Sequence, residues 1–121
     1  MNWNNYPNFS PDELRCKETG ELNMDPDFMD RLQALRTEFG KRMAITSGFR
    51  SAKHSAERKK AKPGAHAQGK AVDVAVMGED ALELVRLALS FGFTGVGVSQ
   101  KAGGARYIHL DTAPRKAIWS Y

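Results

Sequence analysis

Between Phe28 and Phe39 the apolar residues Phe28, Leu32, Leu35 and Phe39 recur at spacings of 4, 3 and 4, which places them on one face of a helix. Asp25 caps its start, Pro26 suits a first helical position whose N–H has no intrahelical partner, and Gly40 stops it. A shorter helix is predicted upstream, with Ser10 as N-cap, Pro11 next, and Glu13 completing a capping box. Phe9 and Leu14 occupy the two positions of a hydrophobic staple. The period then changes. Met43 to Thr46 reads as a short strand, and Lys70 to Val76 alternates, with Val72, Val74 and Val76 on one face and Ala71, Asp73 and Ala75 on the other. The intervening basic stretch reads as a short helix followed by a loop broken at Pro63-Gly64. Glu79 to Phe91 is again a richly apolar helix, closed by Gly92. Gly95 to Ser99 and Arg106 to Asp111 are two further strands, joined by a turn containing Gly103-Gly104. The tail, Thr112 to Tyr121, carries Ile118, Trp119 and Tyr121, enough apolar surface to dock. With no repeat and no linker, the pattern predicts one small α+β domain over residues 1–121, its helices packed on a mostly antiparallel sheet.

Composition narrows this picture without changing it. The chain has 121 residues, 41% hydrophobic and 26% charged, ordinary globular usage that excludes global disorder. Cys16 is the single cysteine, so no intrachain disulfide staples the fold. No apolar run approaches the roughly 18 residues of a membrane span, and Met1 to Pro7 lacks the basic and apolar regions of a signal peptide. The expectation is a monomeric protein made in the cytoplasm. Net charge is +4, with the excess gathered in Arg50, Lys53, Arg58, Lys59, Lys60 and Lys62 and opposed there only by Glu57. Such a cluster suits an anionic partner or a solvated loop. No stacking aromatic is interleaved with it, which argues against nucleic acid.

Three histidines can carry chemistry. His66 lies seven residues before Asp73, a carboxylate flanked by Val72 and Val74. Asp73 is costly there unless water, a counter-charge or a metal receives it; an edge strand with its second face wet is the simpler reading. In Tyr107-Ile108-His109-Leu110-Asp111, alternation sends Ile108 and Leu110 to the core and Tyr107, His109 and Asp111 to the other face. If the two strands are neighbours, His109 and Asp73 converge and the loop bearing His66 closes over them. Two histidines and one carboxylate make a three-ligand zinc site with an open fourth position, the catalytic pattern, although the same residues also meet in ordinary hydrogen bonds. His54, inside the basic run, reads as a solvated histidine.

The strings Thr46-Ser47-Gly48-Phe49-Arg50-Ser51, His66-Ala67-Gln68-Gly69-Lys70-Ala71-Val72-Asp73, Gly95-Val96-Gly97 and Tyr107-Ile108-His109-Leu110-Asp111-Thr112 occur in the order seen in a known group. Through them the chain resembles the D-alanyl-D-alanine carboxypeptidase-like zinc peptidases, whose fold vancomycin-resistance D,D-dipeptidases, phage endolysins and the hedgehog signalling domain share. The opening Asn8-Phe9-Ser10-Pro11-Asp12-Glu13-Leu14 looks like the start of a short, phage-associated branch.

The resemblance implies Zn2+ held by His66, Asp73 and His109, and a contact from Arg50 to a substrate carbonyl or carboxylate. One position departs from the pattern. Many relatives carry an acid three residues before the last zinc histidine, where this chain has Arg106. Asp111 can replace that general base, or it can orient a histidine from behind; Tyr107 is a further candidate for substrate binding and for stabilising an intermediate. The function implied is hydrolysis of a peptide bond in peptidoglycan stem peptides or cross-links, as a carboxypeptidase or an endolysin-type endopeptidase. The alternative is a zinc-containing peptidoglycan-binding module or phage tail or virion component with little turnover. Either would reach the wall after phage-type release or as part of a virion.

Overall fold

The computed structural model describes residues 1–121. Two proline-initiated helices open the chain. α1 (Pro11–Leu14) is a single turn capped by Ser10, whose side chain accepts from the Glu13 N–H. α2 (Pro26–Phe39) starts at Asp25, whose carboxylate accepts from the Phe28 N–H at 3.0 Å, and ends at Gly40 in the left-handed conformation. Replacing Asp25 with alanine leaves that N–H unpaired and is expected to lower stability by about 1 kcal/mol in urea unfolding. An unchanged midpoint would show that the first turn is held by packing alone.

The sheet is built from β1 (Ala44–Ser47), β2 (Ala71–Ala75), β3 (Gly95–Ser99), β4 (Tyr107–Asp111) and β5 (Ala117–Ser120), in the order β1-β2-β4-β3-β5. Every neighbouring pair is antiparallel except β3 and β5. α2 and α3 (Gly78–Ser90) cover one face. Phe28, Met29, Leu32, Leu35 and Phe39 of α2, with Ala81, Leu84, Leu87 and Ala88 of α3, close on Val72, Val74, Val96, Ile108 and Leu110 of the sheet. The α+β class and the mostly antiparallel sheet are as the alternation predicts. No helix is long and apolar enough to cross a membrane.

Two local expectations are corrected. The stretch 51–62 forms successive turns and no helix: single bonds run from His54 N to Ser51 O, Glu57 N to His54 O and Lys60 N to Glu57 O, and no regular ladder develops. It has no apolar face to bury, and its middle is pulled inward by Glu57, a buried carboxylate that accepts from Lys60 Nζ at 2.7 Å and from the Gly64 N–H at 3.0 Å. β2 is not an edge strand; it lies between β1 and β4, so the face bearing Asp73 is not simply wet. The tail docks as expected, and it does so as a strand, β5, that pairs parallel with β3 along the sheet's edge.

The exposed face carries the site, and its register is legible strand by strand. Ser47, Asp73, His109, Gly97 and Trp119 are successive cross-strand partners, one row running over all five strands. Gly69, just ahead of β2, anchors that row to α2. Its φ is +72°, its carbonyl accepts from the Asp25 N–H at 3.0 Å, and a Cβ there would lie 2.7 Å from that same nitrogen.

Candidate metal centre

His66, Asp73 and His109 present three ligand atoms that all lie within 4.8 Å of one another. Asp73 and His109 face each other as direct partners of β2 and β4, and His66 reaches them from the loop that leads into β2. Asp73 Oδ1 stands 3.4 Å from His66 Nε2 and 3.0 Å from His109 Nδ1. Two donors bound at about 2.0–2.1 Å to a tetrahedral zinc are separated by about 3.3 Å, so this spacing fits. All three side chains are buried, although the row they occupy lies on the face that no helix covers.

The outer nitrogens of both rings are tied down, which in the neutral imidazoles fixes where the lone pairs point. His66 Nδ1 donates to the Gly48 carbonyl at 2.8 Å, leaving Nε2 as the acceptor facing Asp73. His109 Nε2 donates to Asp111 Oδ2 at 2.7 Å, leaving Nδ1 facing Asp73 from the other side. Two ring acceptors and a carboxylate thus converge on one point, an arrangement that calls for a positive charge between them. Protons on the rings can supply that charge: burial alone would raise the Asp73 carboxyl, but hydrogen bonds donated by His109 and His66 in that protonated state outweigh it and hold the group well below the usual carboxylate range. Burial works against a charge on His109, yet Asp111 and Asp73 together raise its pKa. Donor set, spacing and ring orientation all fit a divalent cation.

Behind His109 is a support the sequence only half announces. Asp111 is fully buried and accepts from four donors: His109 Nε2, the Ala113 N–H at 3.1 Å, and both Nη atoms of Arg115 at 2.8 Å. Burial would raise its carboxyl, but these partners, His109 and Arg115 first, hold it well below the usual range. Gly95 on β3 makes the room, since any Cβ there would overlap the Asp111 carboxylate and Arg115.

Arg50 is half-buried, with Nη2 3.7 Å from Asp73 Oδ2. Its backbone N–H donates to the His66 carbonyl at 3.2 Å, so the loop 51–65 leaves and returns at the site. Lys53, Arg58, Lys59, Lys60 and Lys62 stand exposed on that loop. Tyr107 shares the site face and packs its ring 5.2 Å from Tyr121. Burial first, then Tyr121 and Asp73, raise its hydroxyl above the ordinary tyrosine range. Arg106 turns aside, with Nη1 3.3 Å from Met77 Sδ.

His54 is corrected. It is half-buried, accepts from the Ala56 N–H at 2.9 Å, and sets Nε2 3.1 Å from Glu18 Oε2, apart from the His66, Asp73 and His109 cluster. Sequence reasoning missed Arg115, Trp119 and Glu57. For the first two a signal existed: Gly95 and Gly97 alternate with Val96 and Val98, so one face of β3 lacks side chains and something large must cross it.

Comparison with known proteins agrees with this geometry. Residues 7–111 match the family model described as peptidase M15. Over 110 residues the chain is 31% identical to a Haemophilus influenzae protein named probable peptidoglycan L,D-endopeptidase MepK, covering 84% of this chain. The chain spans 58% of that relative's length. A matched segment that takes in all three candidate ligands, and nearly the whole sheet that positions them, makes this chain a member of the peptidase M15 family.

Proposed function

We propose that the protein is a zinc-dependent peptidase that hydrolyses a peptide bond in peptidoglycan stem peptides or cross-links. The observation that carries the reading is the convergence of His66 Nε2, Asp73 Oδ1 and His109 Nδ1 on one point, with both outer ring nitrogens already bonded. His66, Asp73 and His109 would hold the metal. Zinc, when bound in such a three-ligand site, lowers the pKa of a coordinated water to about 7 and polarises the scissile carbonyl.

The remaining work falls to this chain's own groups. Arg50, beside Asp73, would meet a substrate carbonyl or carboxylate and stabilise oxyanion charge as it develops. Tyr107, on the same face of the sheet, would contribute a hydroxyl to the same substrate. We assign Asp111 the positioning of His109 and not the transfer of the proton, because four donors occupy its oxygens and it has no exposure to water. The similarity to a protein named as an L,D-endopeptidase supports an endopeptidase over a carboxypeptidase. The exposed lysines and arginine of the loop 51–65 would keep the enzyme close to anionic wall polymers.

A second reading, a zinc-containing wall-binding module with little turnover, is favoured by one observation. The position that carries an acid in many relatives is Arg106, directed at Met77, and no further carboxylate joins the three ligands. Digestion of purified peptidoglycan, followed by mass spectrometry of the muropeptides, separates the two. The peptidase produces new termini that vanish with a chelator and return with zinc. Retention on peptidoglycan with no new termini, zinc present, supports the binding module.

A further inference from the structure

The row of site residues does not end at the metal ligands. Past His109 it continues through Gly97 to Trp119 on β5, the strand that sequence periodicity did not reveal. The Trp119 ring packs 5.1 Å from the His109 ring and beneath the Arg115 guanidinium, 5.3 Å away. A Cβ on Gly97 would lie 2.7 Å from Trp119 Nε1 and 2.8 Å from the Tyr121 hydroxyl. Both polar tips therefore lie over Gly97, where a side chain would crowd them, beside His109. The indole N–H is a donor only, and no protein group accepts from it. Trp119 is half-buried and Tyr121 is exposed, so the tips can be reached from solvent.

We infer that Trp119 Nε1 and the Tyr121 hydroxyl form a substrate subsite that takes a backbone carbonyl oxygen of the peptide, on the far side of His109 from Arg50. The deduction rests on the peptidase reading above and specifies how the peptide lies. Charge decides what each end binds. Arg50 stands at the Asp73 end of the row as a cation, suited to an oxyanion or a carboxylate. At the other end the donors are neutral, and a neutral donor pair matches an uncharged amide carbonyl. A peptide spanning the two ends passes across the three ligand atoms. The Trp119 ring also offers an apolar face on which an alanyl or similar small side chain can rest.

The test uses the zinc-loaded protein and an uncross-linked muropeptide carrying a free stem peptide. Trp3 and Trp119 are the two tryptophans, so a Trp3→Phe background makes Trp119 the sole indole reporter. Its emission is expected to change saturably as the muropeptide is added. Trp119→Phe keeps an aromatic ring, smaller than the indole, and deletes the N–H; it should raise KM by about threefold to tenfold, the worth of one neutral hydrogen bond, with kcat nearly constant and stoichiometric zinc retained. An unchanged KM at saturating zinc overturns the subsite; if zinc affinity falls at the same time, Trp119 is only a packing support for His109. Failure of the peptidase reading looks different: a saturable emission change with no cleavage at all removes the enzyme and leaves the subsite standing.

Discussion

The His109→Ala protein is expected to retain no stoichiometric zinc and to lose turnover by at least about 10³-fold, the several kcal/mol that a catalytic zinc contributes to transition-state stabilisation. His109 Nδ1 lies 3.0 Å from Asp73 Oδ1, and without it two ligands remain, His66 and Asp73. The substitution does more than remove a ligand. It leaves Asp111 paired with Arg115 and Ala113 but without its ring partner, and it opens space beside Trp119. Circular dichroism melting should accompany the metal analysis, so that a folded, metal-free protein is separated from an unfolded one. A folded His109→Ala protein that still carries one zinc per chain would mean the ligands are elsewhere.

Asp111→Asn distinguishes a base from a support. Every contact to the carboxylate comes from a donor, and an amide replaces one acceptor oxygen with a donor NH2. If the NH2 faces His109, the ring must accept at Nε2 and carry its proton on Nδ1, the atom aimed at the metal. If it faces the other way, it meets Arg115 and the Ala113 N–H. Either arrangement weakens the metal site. Zinc affinity is expected to fall by about 10–100-fold while the rate at saturating zinc stays within a few-fold of the parent. A rate lowered by about 10²–10⁴-fold at saturating zinc would instead give Asp111 the proton-transfer role.

Much of the fold was legible because its signals are short-range. The caps at Ser10 and Asp25, the spacing from Phe28 to Phe39 and the alternation around Val72 and Ile108 each depend on a few neighbouring residues. Alternation alone also put Asp73 and His109 on the face opposite the core, so that their meeting required only that the two strands be neighbours. The loop 51–65 was not legible, since its turns depend on one carboxylate, Glu57, finding Lys60 and Gly64 inside the fold. Nor was the pairing of His54 with Glu18, which joins segments 36 residues apart.

What the sequence determined by itself is therefore the class of the fold, the face on which each chemical residue sits, and membership of the trio His66, Asp73 and His109. Periodicity reports which side of a strand a residue occupies and nothing about which strand lies next to it. Strand order was decided only by tertiary packing, and with it three features of the site. β2 became internal, so Asp73 is buried between β1 and β4. The chain after Asp111 turned back so that Arg115 clamps that carboxylate behind His109. The tail added as a parallel edge strand and carried Trp119 over Gly97 onto the His109 ring. A parallel pairing has no tight-turn signature to read in the chain; it forms because glycines at positions 95 and 97 leave β3 bare on one face, and the buried surface beside Asp111 and His109 is completed only when Arg115 and Trp119 fill it.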